Sequence, residues 1–212
     1  DIRATGVTYE VQLATEGPAT GCCLILVTPD AQRTMNTYLG ASVHLGAAEV
    51  DPQRIARASI LYLEGYLFDP PEAQEAFRTA ARCAHEAGRI VSLALSDGFC
   101  VERHHGAFLD LVENHVDLLF ANEAEILALH RTDDWETAVA TVLADPENAP
   151  VRMLVGGIGL GARVATRATA QGLKVDAAFS IGFPLHPSGK PGLQDVDYMY
   201  RMICPVLFVQ GA

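Results

Sequence analysis

The sequence predicts an α/β fold, three layers with a mostly parallel, Rossmann-like sheet of about six strands and an antiparallel hairpin at one edge. Three observations predict it. From Asp51 onward, short apolar runs alternate with longer amphipathic segments, and parallel neighbours need crossovers that are usually helical. Before that point, two β-prone runs flank a Pro/Asp turn. Near the end, an apolar run at Met153 passes through a glycine cluster straight into a helical pattern.

Taken in order, Asp1 to Ala19 holds one short alternating segment, Val7 to Gln12, fit for a peripheral strand in what reads as part of something larger. Gly21 to Thr28 and Arg33 to Leu39 form the hairpin around Pro29-Asp30-Ala31-Gln32. Asp51-Pro52 starts a short helix, Ile60 to Leu63 is a buried strand, and Pro70 to Ala87 is a long amphipathic helix closed by Gly88. Strand Ile90 to Leu95, a helix over Val101 to Asn114 with Phe108, Leu109, Leu111 and Val112 on its apolar side, and strand Val116 to Phe120 follow. Helices are expected over Asn122 to His130 and Asp133 to Ala144. Asp145 to Pro150, with two prolines and polar neighbours, reads as a junction between segments 1–145 and 151–212 of one domain. After it come strand Met153 to Val155, helix Ala162 to Gln171, strand Val175 to Ser180, a Pro/Gly-rich loop from Gly182 to Gly192, a short helix near Val196 to Met202 and strand Pro205 to Gln210.

A chain of 212 residues, half of them hydrophobic, is long enough for one sizeable core. No run approaches the 18 or so apolar residues of a membrane span, and no basic-then-apolar leader opens the chain. The expectation is a soluble, cytoplasmic protein without a signal peptide. A net charge of −11 with fifteen scattered Lys and Arg argues against nucleic acid and anionic membranes as partners. The five cysteines, Cys22, Cys23, Cys83, Cys100 and Cys204, show no C-x-x-C spacing and are expected to be buried, reduced thiols. An unpaired early strand leaves an edge or face that a homodimer would cover.

The stretches TPDAQRTMNTYLGAS, ILYLEGYLFDPP, VSLALSDGFCVERH and LLFANEAEI resemble the carbohydrate and adenosine kinase family of ribokinase-like fold, over about residues 1–144. The resemblance implies that the Asn-x-x-Glu pattern, Asn122 and Glu125, helps organise Mg²⁺ and phosphate near the strand ends. The family's glycine-rich segment ending in the catalytic aspartate is not found, nor is its Gly-Gly pair in the sugar-binding portion. The second part, with GGIGLGARVATRATAQG, AAFSIGFPLHPSGKP and CPVLFVQG, resembles the dienelactone-hydrolase-like branch of the α/β-hydrolases. There the G-x-S-x-G elbow implies a serine at the position of Gly159, and the acid and histidine would follow the last strand.

Several groups invite a functional reading beside a plain one. Asn122 caps a helix and Glu125 at its third position completes a capping box, which is the preferred reading over a Mg²⁺ site. Gly157-x-Gly159-x-x-Ala162 also fits a dinucleotide fingerprint, but the next strand ends in Ser-Ile-Gly rather than an acidic residue; a tight strand-to-helix turn is preferred. His104 and His105 are adjacent on a helix and point apart, so they do not converge on one ion. His186 is assigned a structural loop role, and Ser188-Gly189-Lys190-Pro191 is no phosphate loop. The candidate ligand-binding residues are therefore Asn122, Glu125, Gly157 and Gly159; no catalytic residue, metal or cofactor is assigned. With neither family's chemistry complete, the sequence is read as an engineered or recombined, non-catalytic α/β chimera, with small-molecule ligands unexpected. The alternative is a remnant nucleotide-, phosphate- or Mg²⁺-binding protein of the carbohydrate kinase family.

Overall fold

The computed structural model describes residues 2–9, 14–30, 32–144, 152–186 and 196–209. The chain forms two compact units, Asp1–Val139 and Ala140–Ala212. The Asp145 to Pro150 junction, Ser188 to Pro191 and the expected strand beyond Tyr9 lie outside the described residues, and Val7 to Tyr9 is not in a strand.

In the larger unit, β1 (Thr20–Val27) and β2 (Arg33–Gly40) pair antiparallel, from Thr20 opposite Gly40 to Val27 opposite Arg33. Thr28 closes the turn, its backbone N donating to the Gln32 carbonyl at 3.0 Å and its hydroxyl to Asp30. Directly opposed residues share a face. Leu24, Leu26 and Tyr38 therefore lie on one side and Ile25, Val27 and Met35 on the other, and all six are exposed. The expectation of five buried thiols is corrected here. Cys22 and Cys23 are exposed, with nothing among the described residues of this unit covering them; Cys100 is buried, and Cys83 and Cys204 are half-buried.

After α1 (Pro52–Arg57), whose first turn is capped by the Asp51 carboxylate accepting from Gln53 N at 2.9 Å, the βα rhythm sets in. Strands β3 (Ile60–Glu64), β4 (Ile90–Ala94) and β5 (Leu118–Phe120) form a parallel sheet in that order. The crossover from β3 to β4 is α2 (Pro71–Glu86). Proline at its N-terminus lacks the donor that would be unsatisfied there. Ala73, Ala76, Phe77, Ala80, Ala81 and Ala84, at helical spacing, are buried. Its end is a Schellman closure: Gly88 takes φ 68°, Gly88 N donates to His85 O at 2.9 Å and Arg89 N to Ala84 O at 2.8 Å.

The single helix expected over 101–114 is two helices, α3 (Gly98–Arg103) and α4 (His105–His115). The break falls at His104, whose backbone leaves the helix (φ −115°, ψ 29°) while its ring is held between Asp69 at 2.9 Å and Gln74 at 3.3 Å. Two more helices, α5 (Glu123–His130) and α6 (Trp135–Ala144), follow β5.

The core of this unit centres on Phe68, packed against Phe108 (ring centroids 4.2 Å apart) and Phe77 (5.3 Å), with Leu63, Val91, Leu93, Leu95, Val101 and Leu111 around them. At the end of β3 the backbone of Gly65 lies so close to β4 that a Cβ there would sit 2.5 Å from both the Ala94 and Leu95 carbonyl oxygens. Backbone atoms cannot swing aside as a side chain does. Gly65→Ala is expected to destabilise this unit by about 1–3 kcal/mol, measured by urea unfolding; a variant as stable as the parent would refute the close approach.

In the smaller unit, β6 (Leu154–Ile158), β7 (Ala177–Ile181) and β8 (Val206–Val209) are parallel in sequence order, and α7 (Leu160–Ala170) is the crossover from β6 to β7. A 3₁₀ turn, Asp197–Arg201, brings Tyr198 against Ala162 and Phe183, where its hydroxyl lies 3.0 Å from that of Thr166. The α/β class with parallel sheets flanked by helices and an antiparallel hairpin is as expected. Among the described residues the parallel strands pair in the order β3–β4–β5 in the larger unit and β6–β7–β8 in the smaller.

Candidate functional site

The C-terminal edge of the β3–β4–β5 sheet gathers polar groups from all three strands, and that edge is where open α/β sheets take ligands. Asn122 follows β5 and caps α5. Its side-chain oxygen accepts from Glu125 N at 3.0 Å, while its own backbone N and amide Nδ2 donate to the two Glu125 carboxylate oxygens at 3.0 and 2.7 Å. The capping box read from the sequence is thus present, and it holds Glu125 at only 7 % exposure. Each carboxylate oxygen still has a lone pair beyond the bond it accepts.

Two residues past the end of β4 stands Ser96, a non-glycine residue with φ 65°. Its hydroxyl donates to the Glu64 carboxylate at the end of β3 and lies 3.1 Å from Ala94 O. The other Glu64 oxygen accepts from Tyr62 at 2.9 Å, and burial, then Glu64, raise the Tyr62 phenol above its ordinary pKa. A left-handed serine costs of order 1–3 kcal/mol and persists where its surroundings hold it; here Glu64 does. Sequence reasoning missed Glu64 and Ser96. The Ser-Asp-Gly turn after an apolar strand was the available signal for Ser96.

Behind this edge, His104 and His105 diverge as expected: His105 Nε2 bonds the Leu129 carbonyl at 2.8 Å, away from Asp69. His130, the last residue of α5, has its Nε2 buried without a hydrogen-bond partner among the described residues. Burial, then the neighbouring His105 charge, lower its pKa, against a smaller opposing pull from Glu113. The imidazole is therefore neutral in the fold while the unfolded chain protonates first as pH drops. Stability falls as pH goes below about 6.5 and levels off only below the folded pKa. His130→Leu is expected to lose less stability between pH 7.5 and pH 5.5 than the parent in parallel urea titrations. Equal acid sensitivity in both would show that His130 is not the cause.

In the smaller unit, Gly157 lies near the end of β6 and Gly159 makes the turn into α7. A Cβ on Gly157 would lie 2.3 Å from Gly161 C, so this glycine lets the helix press on the strand, and Gly159 takes φ 57°, a conformation glycine adopts freely. His186 is exposed. Among the described residues no helix is long and apolar enough to cross a membrane.

With this geometry in view, residues 1–155 match the family described as pfkB family carbohydrate kinase, and the chain belongs to that family. Residues 127–212 match an alpha/beta hydrolase domain. A probable sugar kinase from Rhizobium etli CFN 42 is 49 % identical, with a TM-score of 0.64 over 68 % of this chain and 44 % of that one. Adenosine kinase from Sinorhizobium meliloti is 45 % identical, with the same TM-score and coverage. The apo adenosine kinase of Trypanosoma brucei brucei, 20 % identical with a TM-score of 0.55 over 65 % of this chain and 43 % of that one, shares the fold. The chain spans under half the length of these structures.

These likenesses overturn the reading of the chain as an engineered, non-catalytic scaffold, and with it the expectation that it is no enzyme. Identity of 49 and 45 % to two kinases points to a sugar or adenosine kinase fold. Groups missing from a chain that spans 44 % of the Rhizobium etli protein do not imply missing activity.

Proposed function

We propose that the protein acts as a kinase, moving a phosphoryl group from a nucleoside triphosphate to a hydroxyl of a sugar or nucleoside, with the β3–β4–β5 edge as its phosphate and cation side. The observation that supports this most is the position of Asn122 and Glu125 at the strand end of a unit that lies within the pfkB match. Phosphoryl transfer asks mainly for positioning and charge stabilisation. Glu125 is an ionisable group fixed by three reciprocal bonds rather than a free surface carboxylate.

One carboxylate with spare lone pairs fits Mg²⁺, which keeps several waters and takes one or two carboxylates together with substrate phosphates. Glu125, steadied by Asn122, is the residue that would hold it, directly or through water. When bound, the ion would neutralise charge on the phosphates. Glu64, at the end of β3 and fixed by Tyr62 and Ser96, adds a second carboxylate to the same sheet edge, with β4 between it and β5.

The test is production of ADP from ATP by the purified protein, with and without Mg²⁺, in the presence of adenosine or of ribose. Turnover that depends on the acceptor and on Mg²⁺ supports the reading and names the acceptor class. A cooperatively melting protein that turns over none of these acceptors and gains no thermal stability from ATP with Mg²⁺ overturns it.

A further inference from the structure

Beside the strand-end edge, where α3 packs on α5 and on the backbone of Gly65, three different donor types converge. Cys100 on α3 and His104 at its end are four residues apart, hence on one helical face. Asp69 reaches them from the loop that leads into α2. The Cys100 Sγ is 3.7 Å and the His104 Nε2 2.9 Å from Asp69 Oδ1, and the three donor atoms all lie within 4.8 Å of one another. Zinc bonds of about 2.0–2.3 Å set tetrahedral edges of about 3.3–3.7 Å. Adjustments of up to about an ångström in exposed Asp69 and half-buried His104 would meet that shape, while Cys100 is only 2 % exposed and stays fixed.

We infer that Asp69, Cys100 and His104 form a binding site for a borderline divalent cation, Zn²⁺, with water completing the coordination. The chemistry of the set selects the ion: thiolate plus imidazole suits zinc, whereas Mg²⁺ and Ca²⁺ want oxygen donors. Binding replaces the thiol proton with a sulfur–zinc bond and releases that proton to solvent. Burial, then the Asp69 charge, push the free Cys100 thiol up to about 11, so without a cation this sulfur is a protonated, inert thiol.

The competitor for Asp69 is Arg103, which donates to Oδ1 through Nε and Nη2 (3.2 and 3.0 Å) and to Oδ2 through Nη2 (3.0 Å). Its hydrogen bonds and those of His104 outweigh a burial penalty and keep the Asp69 carboxyl below the usual range. With the cation on Oδ1, the half-exposed arginine keeps Oδ2 as an orienting partner. This competition separates a metal site from a mere salt-bridge clamp.

The experiment is a Co²⁺ titration of the full chain in a Cys22→Ser, Cys23→Ser background, read by sulfur-to-cobalt charge-transfer absorption and by displacement with Zn²⁺. One equivalent is expected to produce the absorption, and Cys100→Ala, or Cys100→Ser if alanine does not fold, abolishes it. Asp69→Asn and His104→Gln weaken binding by about 10-fold or more. Arg103→Gln leaves binding intact or tighter. Absorption that survives loss of Cys100, no absorption from the folded parent, or abolition by Arg103→Gln would each overturn the proposal.

Discussion

Phe108→Ala lowers the stability of the larger unit by about 3–5 kcal/mol, read as a shift of its urea midpoint. Phe108 is fully buried, its ring 4.2 Å from that of Phe68, which in turn contacts Phe77 at 5.3 Å. Those neighbours come from α2 and from the turn after β3. Because each is pinned by its own strand or helix, the space left by the ring cannot collapse, and the cavity cost adds to the lost transfer energy. Phe99→Ala, at a ring that is 73 % exposed, is the internal control, expected within about 0.5 kcal/mol of the parent. A Phe108→Ala loss under about 1 kcal/mol would mean that the three-ring cluster is not the centre of the unit.

Glu125→Gln is expected to reduce phosphoryl transfer by about 10²-fold or more while the protein still folds. The substitution keeps the shape and removes the charge. It also turns an NH₂ group toward one of the two Asn122 donors, so one bond of the capping box is lost, at about 1–3 kcal/mol. The separation of effects decides the role of the residue. If Glu125 only caps α5, activity follows the folded fraction and returns at lower temperature, and the Mg²⁺ dependence is that of the parent. If it meets the cation, kcat falls in fully folded enzyme and the Mg²⁺ requirement rises. Retention of parental kcat and Mg²⁺ dependence would confine Glu125 to the capping box.

What the sequence revealed and what it hid divide along the range of the interactions. The hairpin, the Pro71 start and Gly88 stop of α2, and the Asn122–Glu125 box are written within a few residues, and local rules recover them. The break at His104 is set by Asp69, thirty-five positions earlier, and no periodicity over 101–114 announces it. The Glu64–Ser96 pair and the approach of Asp69 to Cys100 likewise depend on β3 and β4 becoming neighbours. The exposure of Cys22 and Cys23 was illegible because a β-prone apolar run looks the same whether or not anything packs on it. The functional error was of another kind. The capping box of Asn122 and Glu125 was legible, but the chain was read as non-catalytic from groups not found elsewhere in it.

The reciprocal bonding of Asn122 and Glu125 also means that the two do not count as independent residues. Each satisfies the donors or acceptors that the other would otherwise leave bare, so removing either already undoes most of what the partner contributes. Their double variant is then only slightly worse than the worse single one, a strong departure from additivity. A change tolerated at one position alone is then a sign that the other has already lost its role.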